Sequence, residues 1–154
     1  MEILIVVVIL GIIAMIVVPQ FAAADEDAKE ASLVSTIKIL RRQIGLYQVE
    51  HNGNGPHVGP ILPPPDGEGR LTAPFQRLTE RTDIAGNLDP NGPYGPYIND
   101  WPGNPFCEGL VAKTVTVGYG AKPPRTGITG WYYDLDTCII SANSTTGGES
   151  SDPE

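Results

Sequence analysis

The chain opens on 22 consecutive uncharged positions, Ile3 to Ala24, nearly all of them aliphatic. No alternation breaks the run, so a helix built from it is apolar on every face. About 20 such residues cross the roughly 30 Å of bilayer hydrocarbon as a helix. Beyond Pro19 the pattern turns amphipathic. Leu33, Ile37, Leu40, Ile44 and Tyr47 recur at four-three-four-three spacing and form one stripe, with Asp25, Glu26, Lys29, Lys38, Arg41 and Arg42 off it. Asp25, Glu26 and Asp27 lead this section, as acids do where a helix dipole begins. His51, Asn52 and Gly53 supply a C-terminal stop. The pattern predicts one rod from Glu2 to His51, about 75 Å long. Its first half needs hydrocarbon or sister helices; its second half needs a globular domain.

Three residues set this rod apart from a generic anchor. Glu2 places a carboxylate at the edge of the apolar run, where charge is expensive and functional by default. The first basic side chain, Lys29, lies about 40 Å up the rod, so a cation for Glu2 has to come from another molecule, or desolvation has to keep the acid protonated. Pro19 lacks an amide proton and its ring opposes the Met15 carbonyl, at about 3 kcal/mol in a helix interior. Gly11 adds up to about 1 kcal/mol relative to Ala. The two mark either a simple kink or a stretch able to unwind. Ala22-Ala23-Ala24 resembles a signal-peptide cleavage site, but a signal peptide carries Lys or Arg ahead of its core, and this chain carries Glu2. A plain anchor explains the apolarity and none of Glu2, Gly11 and Pro19.

Downstream, the pattern fades before it returns. Residues 51–105 hold nine glycines and eleven prolines, including Pro63-Pro64-Pro65, and no apolar period survives there, so a long covering loop is expected. Strand signals follow in Leu110–Tyr119, Gly130–Asp134 and Cys138–Ala142, the last two as a hairpin around Leu135-Asp136-Thr137. Three antiparallel strands against the Leu33–Tyr47 stripe make a small α+β core. Domain boundaries fall at 1–24 (apolar helix), 25–142 (globular domain) and 143–154, a polar tail of Ser, Thr, Gly and acid.

Charge and candidate chemistry narrow the function. A net charge of −8 with scattered basic residues argues against nucleic acid, which needs clustered Lys and Arg. Asp134 and Asp136 are calcium candidates at i, i+2, against the plainer reading of two solvated turn residues. His51 and His57 flank a flexible turn and are weak metal candidates. Asn143-Ser144-Thr145 fits a glycosylation sequon, a pattern frequent by chance. No Ser-His-Asp, phosphate-cradle or paired-carboxylate arrangement is present, and no cofactor or enzymatic activity is expected.

Met1 to Phe21, MEILIVVVILGIIAMIVVPQF, resembles the N-terminal helix of type IV pilins and type II secretion pseudopilins, with Glu2, Gly11, Pro19 and Phe21 at the family's spacing. The family has three further mature residues, and a short basic leader, ahead of the position Met1 would hold, so the true start is expected upstream. Tyr94–Phe106 is similar to the pseudopilin stretch ending P-x-N-P-[FWY]. The resemblance implies a pilin-like fold and a subunit held in the inner membrane before assembly. Prepilin peptidase and membrane assembly machinery would be its partners, and a homopolymeric extracellular or periplasmic filament its product. It also implies that Glu2 meets a neighbour's N-terminal amine, and that Gly11–Pro19 melts in the filament. For an extracytoplasmic domain, Cys107 and Cys138 are expected as a disulfide, stabilising by roughly 3–4 kcal/mol, against two free thiols in a reducing compartment. Three functions follow: a surface pilus subunit, the major pseudopilin of a type II secretion system, or a monomeric anchored module binding a ligand with its 51–105 loop.

Overall fold

Helix α1 runs unbroken from Glu2 to Glu50, 49 residues in all, in a computed structural model that describes residues 2–59, 73–120 and 125–145. The side chains of residues 2, 18, 19, 22, 23, 73 and 74 lie outside that description. The remaining elements are α2 (Ala73–Thr79), a 3-10 turn (Gly109–Lys113) and strands β1 (Val115–Gly118), β2 (Trp131–Asp134) and β3 (Ile140–Ala142). The helix ends where the stop residues predict. Asn52 takes a left-handed φ of 57°, and the Gly53 amide donates to the Gln48 carbonyl at 2.7 Å, the six-to-one bond of a Schellman ending. Because α1 is continuous, Asp25–Asp27 sit in mid-helix and no dipole favours them. Asp25 is instead paired with Lys29 one turn on, at 2.6 Å.

All five stripe residues, Leu33, Ile37, Leu40, Ile44 and Tyr47, are buried, none more than 2% exposed. They face Trp131, Tyr133 and Ile140 of the sheet, Phe75 and Leu78 of α2, and Trp101. Each aliphatic side chain removed from water in this way contributes about 1.5–3 kcal/mol. Arg41 adds a polar clip, its Nε donating to the Ile140 carbonyl at 3.0 Å.

The sheet corrects the expected all-antiparallel arrangement. Its order is β1-β2-β3, with β2 and β3 antiparallel as the hairpin pattern predicts, but β1 and β2 run parallel, Val115 opposite Trp131. Twelve residues, 119–130, separate these two strands, enough for the return crossover that a parallel pair requires. Strand β1 is also shorter than its Val/Thr-rich signal, because Leu110–Lys113 coils into the 3-10 turn ahead of it.

The Gly/Pro-rich segment does more than cover. It contains α2, and it sends Phe75, Leu78 and Trp101 into the core at 0–1% exposure. Phe75 stacks obliquely on Trp101 with centroids 4.6 Å apart and meets Tyr133 edge-on at 5.6 Å. Arg77 is buried beside them, its guanidinium donating to the carbonyls of Gly86 at 2.6 Å and Pro56 at 2.8 Å. Isolated residues can build a core without periodicity once tertiary contacts select them. Pro63-Pro64-Pro65 lies outside the described residues.

Asn104 ties the end of this segment to the sheet. Its side-chain amide donates to the Gly130 carbonyl at 2.7 Å, its side-chain oxygen accepts the Phe106 amide, and its backbone amide donates to Ala112. Pro102 accepts the indole proton of Trp131 at 3.0 Å. Gly130 has to be glycine here, since a Cβ would meet the Ala112 carbonyl oxygen at 2.3 Å. The polar tail likewise begins later than its composition suggests. Asn143 and Ser144 are buried, and the Asn143 amide and carbonyl pair with Gly130 and Gly127.

Replacing Leu40 with Ala is expected to lower unfolding stability by about 2–5 kcal/mol through the cavity it leaves. Ile39→Ala, on the exposed side of the same turn, is expected to change it by no more than about 0.5 kcal/mol. Equal losses in chemical denaturation of the two variants would refute this division of the helix.

Candidate assembly surface

The N-terminal half of α1 presents an apolar surface that no described residue covers. Every position from Ile3 to Ile16 is exposed, and the large side chains lie between 50% and 80%. The exposure goes all the way around the helix, because aliphatic residues occupy every face. A Cβ placed on Gly11 would find nothing within 4 Å, and Phe21 is 71% exposed. Of the four residues singled out in the sequence, Gly11 and Phe21 therefore stand on open helix. Glu2 and Pro19 lie on the same helix by their backbone, with side chains outside the description. The helix passes through Gly11 and Pro19 without interruption in the isolated chain.

Among the described residues no helix is long and apolar enough to cross a membrane. The continuously described stretch ends at Val17, short of the about 20 residues a crossing takes, whereas the uncharged run in the sequence continues to Ala24. The described surface is a helix apolar on all sides, and such a surface associates with hydrocarbon or with other apolar helices.

The other candidate residues are engaged within the fold. Asp134 is buried at the β2–β3 turn, where one carboxylate oxygen accepts the amides of Gly120 at 3.0 Å and Asp136 at 3.1 Å and the other accepts the Thr137 hydroxyl at 2.5 Å. These are donors, the opposite of what a cation site assembles, and among the described residues no group of three or more His, Cys, Asp or Glu is placed to hold a metal. The Thr137 hydrogen bond, aided by the two amides, holds the Asp134 carboxyl below its ordinary range.

The two histidines face different neighbours. His51 is buried and stacked on Tyr47 at 3.8 Å, its Nδ1 donating to the Tyr47 carbonyl and its Nε2 lying 2.9 Å from the Thr82 hydroxyl. His57 lies 3.1 Å from the Tyr133 hydroxyl and 3.9 Å from the Cys138 sulfur. Burial first, and then the Arg77 charge, pull its pKa below the ordinary histidine value. Burial likewise pushes the Tyr133 hydroxyl far up, with Cys138 adding to it.

The expected Cys107–Cys138 disulfide is not formed; both are free thiols. Cys138 takes a left-handed φ of 58° and packs against the core with its sulfur 3.9 Å from His57, while burial raises the half-buried Cys107 thiol. The sequon Asn143 is also unsuited to a glycan in this fold, since its side-chain nitrogen donates to Thr129 at 2.7 Å and the residue is fully buried. Sequence reasoning missed Asn104 as a polar hub and Arg77 as a buried cation. For Asn104, its place inside the P-x-N-P-F stretch was a signal; for Arg77, one of three arginines in a Gly/Pro-rich segment, there was none.

No protein-family model matches the chain, and no curated protein or solved structure matches it either.

Two titrations should govern stability against pH. His57 binds a proton more readily unfolded than folded, so its contribution is complete above about pH 6.5 and lost as pH falls toward its lower folded value. The Asp134 contribution is complete above about pH 4 and is lost below it by the same linkage. Tm should therefore decline in two acid steps. His57→Gln should flatten the upper step and Thr137→Val the lower; unchanged profiles in both variants would count against these assignments.

Proposed function

We propose that the chain is a structural subunit of a type IV pilin-like filament and polymerises through the N-terminal half of α1. One observation carries this reading. A single continuous helix buries one stripe of its upper half in its own domain and leaves every face exposed from Ile3 to Ile16. A monomeric anchored module would use both halves as well, but it gives no account of Glu2, Gly11 and Pro19 in the apolar half. A filament subunit uses both, with sister helices replacing lipid around the apolar half as subunits assemble. The similarity of Glu2, Gly11, Pro19 and Phe21 to the pilin pattern supports the same reading.

Within this reading the periplasmic pseudopilus of a type II secretion system is the second candidate. The Pro102–Phe106 stretch favours it, for this segment closes the sheet onto the loop through Asn104 and Trp131. Filaments sheared from the cell surface at native expression would indicate the pilus; filaments seen only on overexpression, with loss of secreted cargo on deletion, would indicate the pseudopilus.

Glu2 is the assembly residue of this proposal. A carboxylate that loses its water inside a bundle of aliphatic helices costs several kcal/mol unless a cation meets it. Glu2→Ala is expected to leave the globular domain folded by circular dichroism and to abolish or greatly slow filament formation in negative-stain images. Normal numbers of filaments from this variant would remove the assembly role from Glu2.

A further inference from the structure

We propose a second contact between copies, resting on the assembly reading above. Lys38 and Arg42 of one subunit receive Glu26 and Asp27 of a parallel neighbour displaced along the helix axis by about 20 Å.

Lys38, Arg42 and Asp27 stand on the side of α1 turned away from the buried stripe, whereas Glu26, seven residues before Leu33, stands in line with that stripe below the domain. Lys38 and Arg42 stand one turn apart, both exposed, on the face opposite the buried Leu33–Tyr47 stripe. Among the described residues neither makes an ion pair, whereas Arg41 between them is clipped to Ile140. Two like charges at this spacing weaken a helix by a few tenths of a kcal/mol, so they favour an outside counter-charge. The acids lie lower on the same helix, where Asp25 is taken up by Lys29 and Glu26 and Asp27 project into solvent. Between the two bands runs a shallow groove floored by Ala31, Val34 and Ser35, with Asp27 at one end and Lys38 at the other. Small side chains there let a second helix come close.

The direction and the shift follow from the order of the bands. Parallel helices without a shift set acid against acid and base against base. A shift of about 13 residues, about 20 Å, sets acid against base while leaving the apolar halves of both copies partly side by side. An antiparallel pair also matches the bands, but it carries the apolar halves to opposite ends and leaves both uncovered. The exposed Ile3–Ile16 surface therefore favours the parallel arrangement.

The test uses the full chain in membranes or detergent micelles and a carbodiimide, which joins a touching amine and carboxylate. Within one helix Lys38 lies about 16–18 Å from Asp27 and Glu26, so a Lys38–Asp27 or Lys38–Glu26 amide found by peptide mass spectrometry joins two chains. Phe21→p-benzoylphenylalanine reports direction, because on irradiation a parallel shifted neighbour is labelled near Ser35 or Val8 and an antiparallel one near Gln48. The expected result is the amide link together with labelling near Ser35 or Val8. Filaments without the link, or labelling near Gln48, overturn the contact and leave the assembly reading standing. The link without filaments upholds the contact and overturns that reading, and neither product refutes both. Lys38→Glu with Arg42→Glu should cut filament yield at least about tenfold by setting like charges together, and adding Glu26→Lys and Asp27→Lys should restore it.

Discussion

Burial of the Leu33, Ile37, Leu40, Ile44 and Tyr47 stripe is the contact on which the rest of the globular domain depends. Three strands of three or four residues cannot hold together alone, since short sheets need an apolar face covered by another element. Helix α1 is that cover. Trp131 and Tyr133 from β2, Ile140 from β3, Phe75 and Leu78 from α2 and Trp101 from the loop all converge on this one stripe. Strand β3 is further held by Arg41, and the top of the helix by the Tyr97 hydroxyl, which donates to Glu50 at 2.5 Å.

The same helix has a second environment that the domain does not supply. Above Glu30 its side chains divide into buried and exposed by face; below Val17 every described side chain of the apolar run is exposed. The packing that holds the domain together resides in the upper half, and the described apolar side chains of the lower half have no cover within the chain. The two halves meet at a belt of charges, Asp25 to Glu30, where helix continuity is maintained by local pairing such as Asp25 with Lys29 rather than by packing.

Polar groups buried in the domain hold its irregular segments in place. Asp134 organises the β2–β3 turn with three donors, Asn104 bridges the loop to the start of β2, and Arg77 holds the carbonyls of Pro56 and Gly86. Arg77 and Asn104 satisfy backbone groups that an irregular, Pro-rich segment leaves without ladder partners, and a buried donor or acceptor left unpaired costs about 1–3 kcal/mol. This explains how a segment with so little regular structure is nonetheless part of the core.

Helix α1, its buried stripe, its ending at Asn52-Gly53 and the β2–β3 hairpin were legible in the sequence because each depends on neighbours a few residues away. Spacing of 3.6, alternation of two and turn chemistry are local rules, and they held for Leu33 to Tyr47 and for Trp131 to Ala142. The four-residue pattern Glu2, Gly11, Pro19 and Phe21 is carried by resemblance alone, since Gly11 and Phe21 stand on open helix and no contact within the described residues bears on their role. Tertiary structure alone decided the parallel pairing of β1 with β2, the burial of Phe75, Arg77, Trp101, Asn104 and Asn143, and the separate settings of the two thiols. Each of these depends on which distant segment arrives at a given place, through a twelve-residue crossover or a Gly/Pro-rich path whose length and turns carry no period.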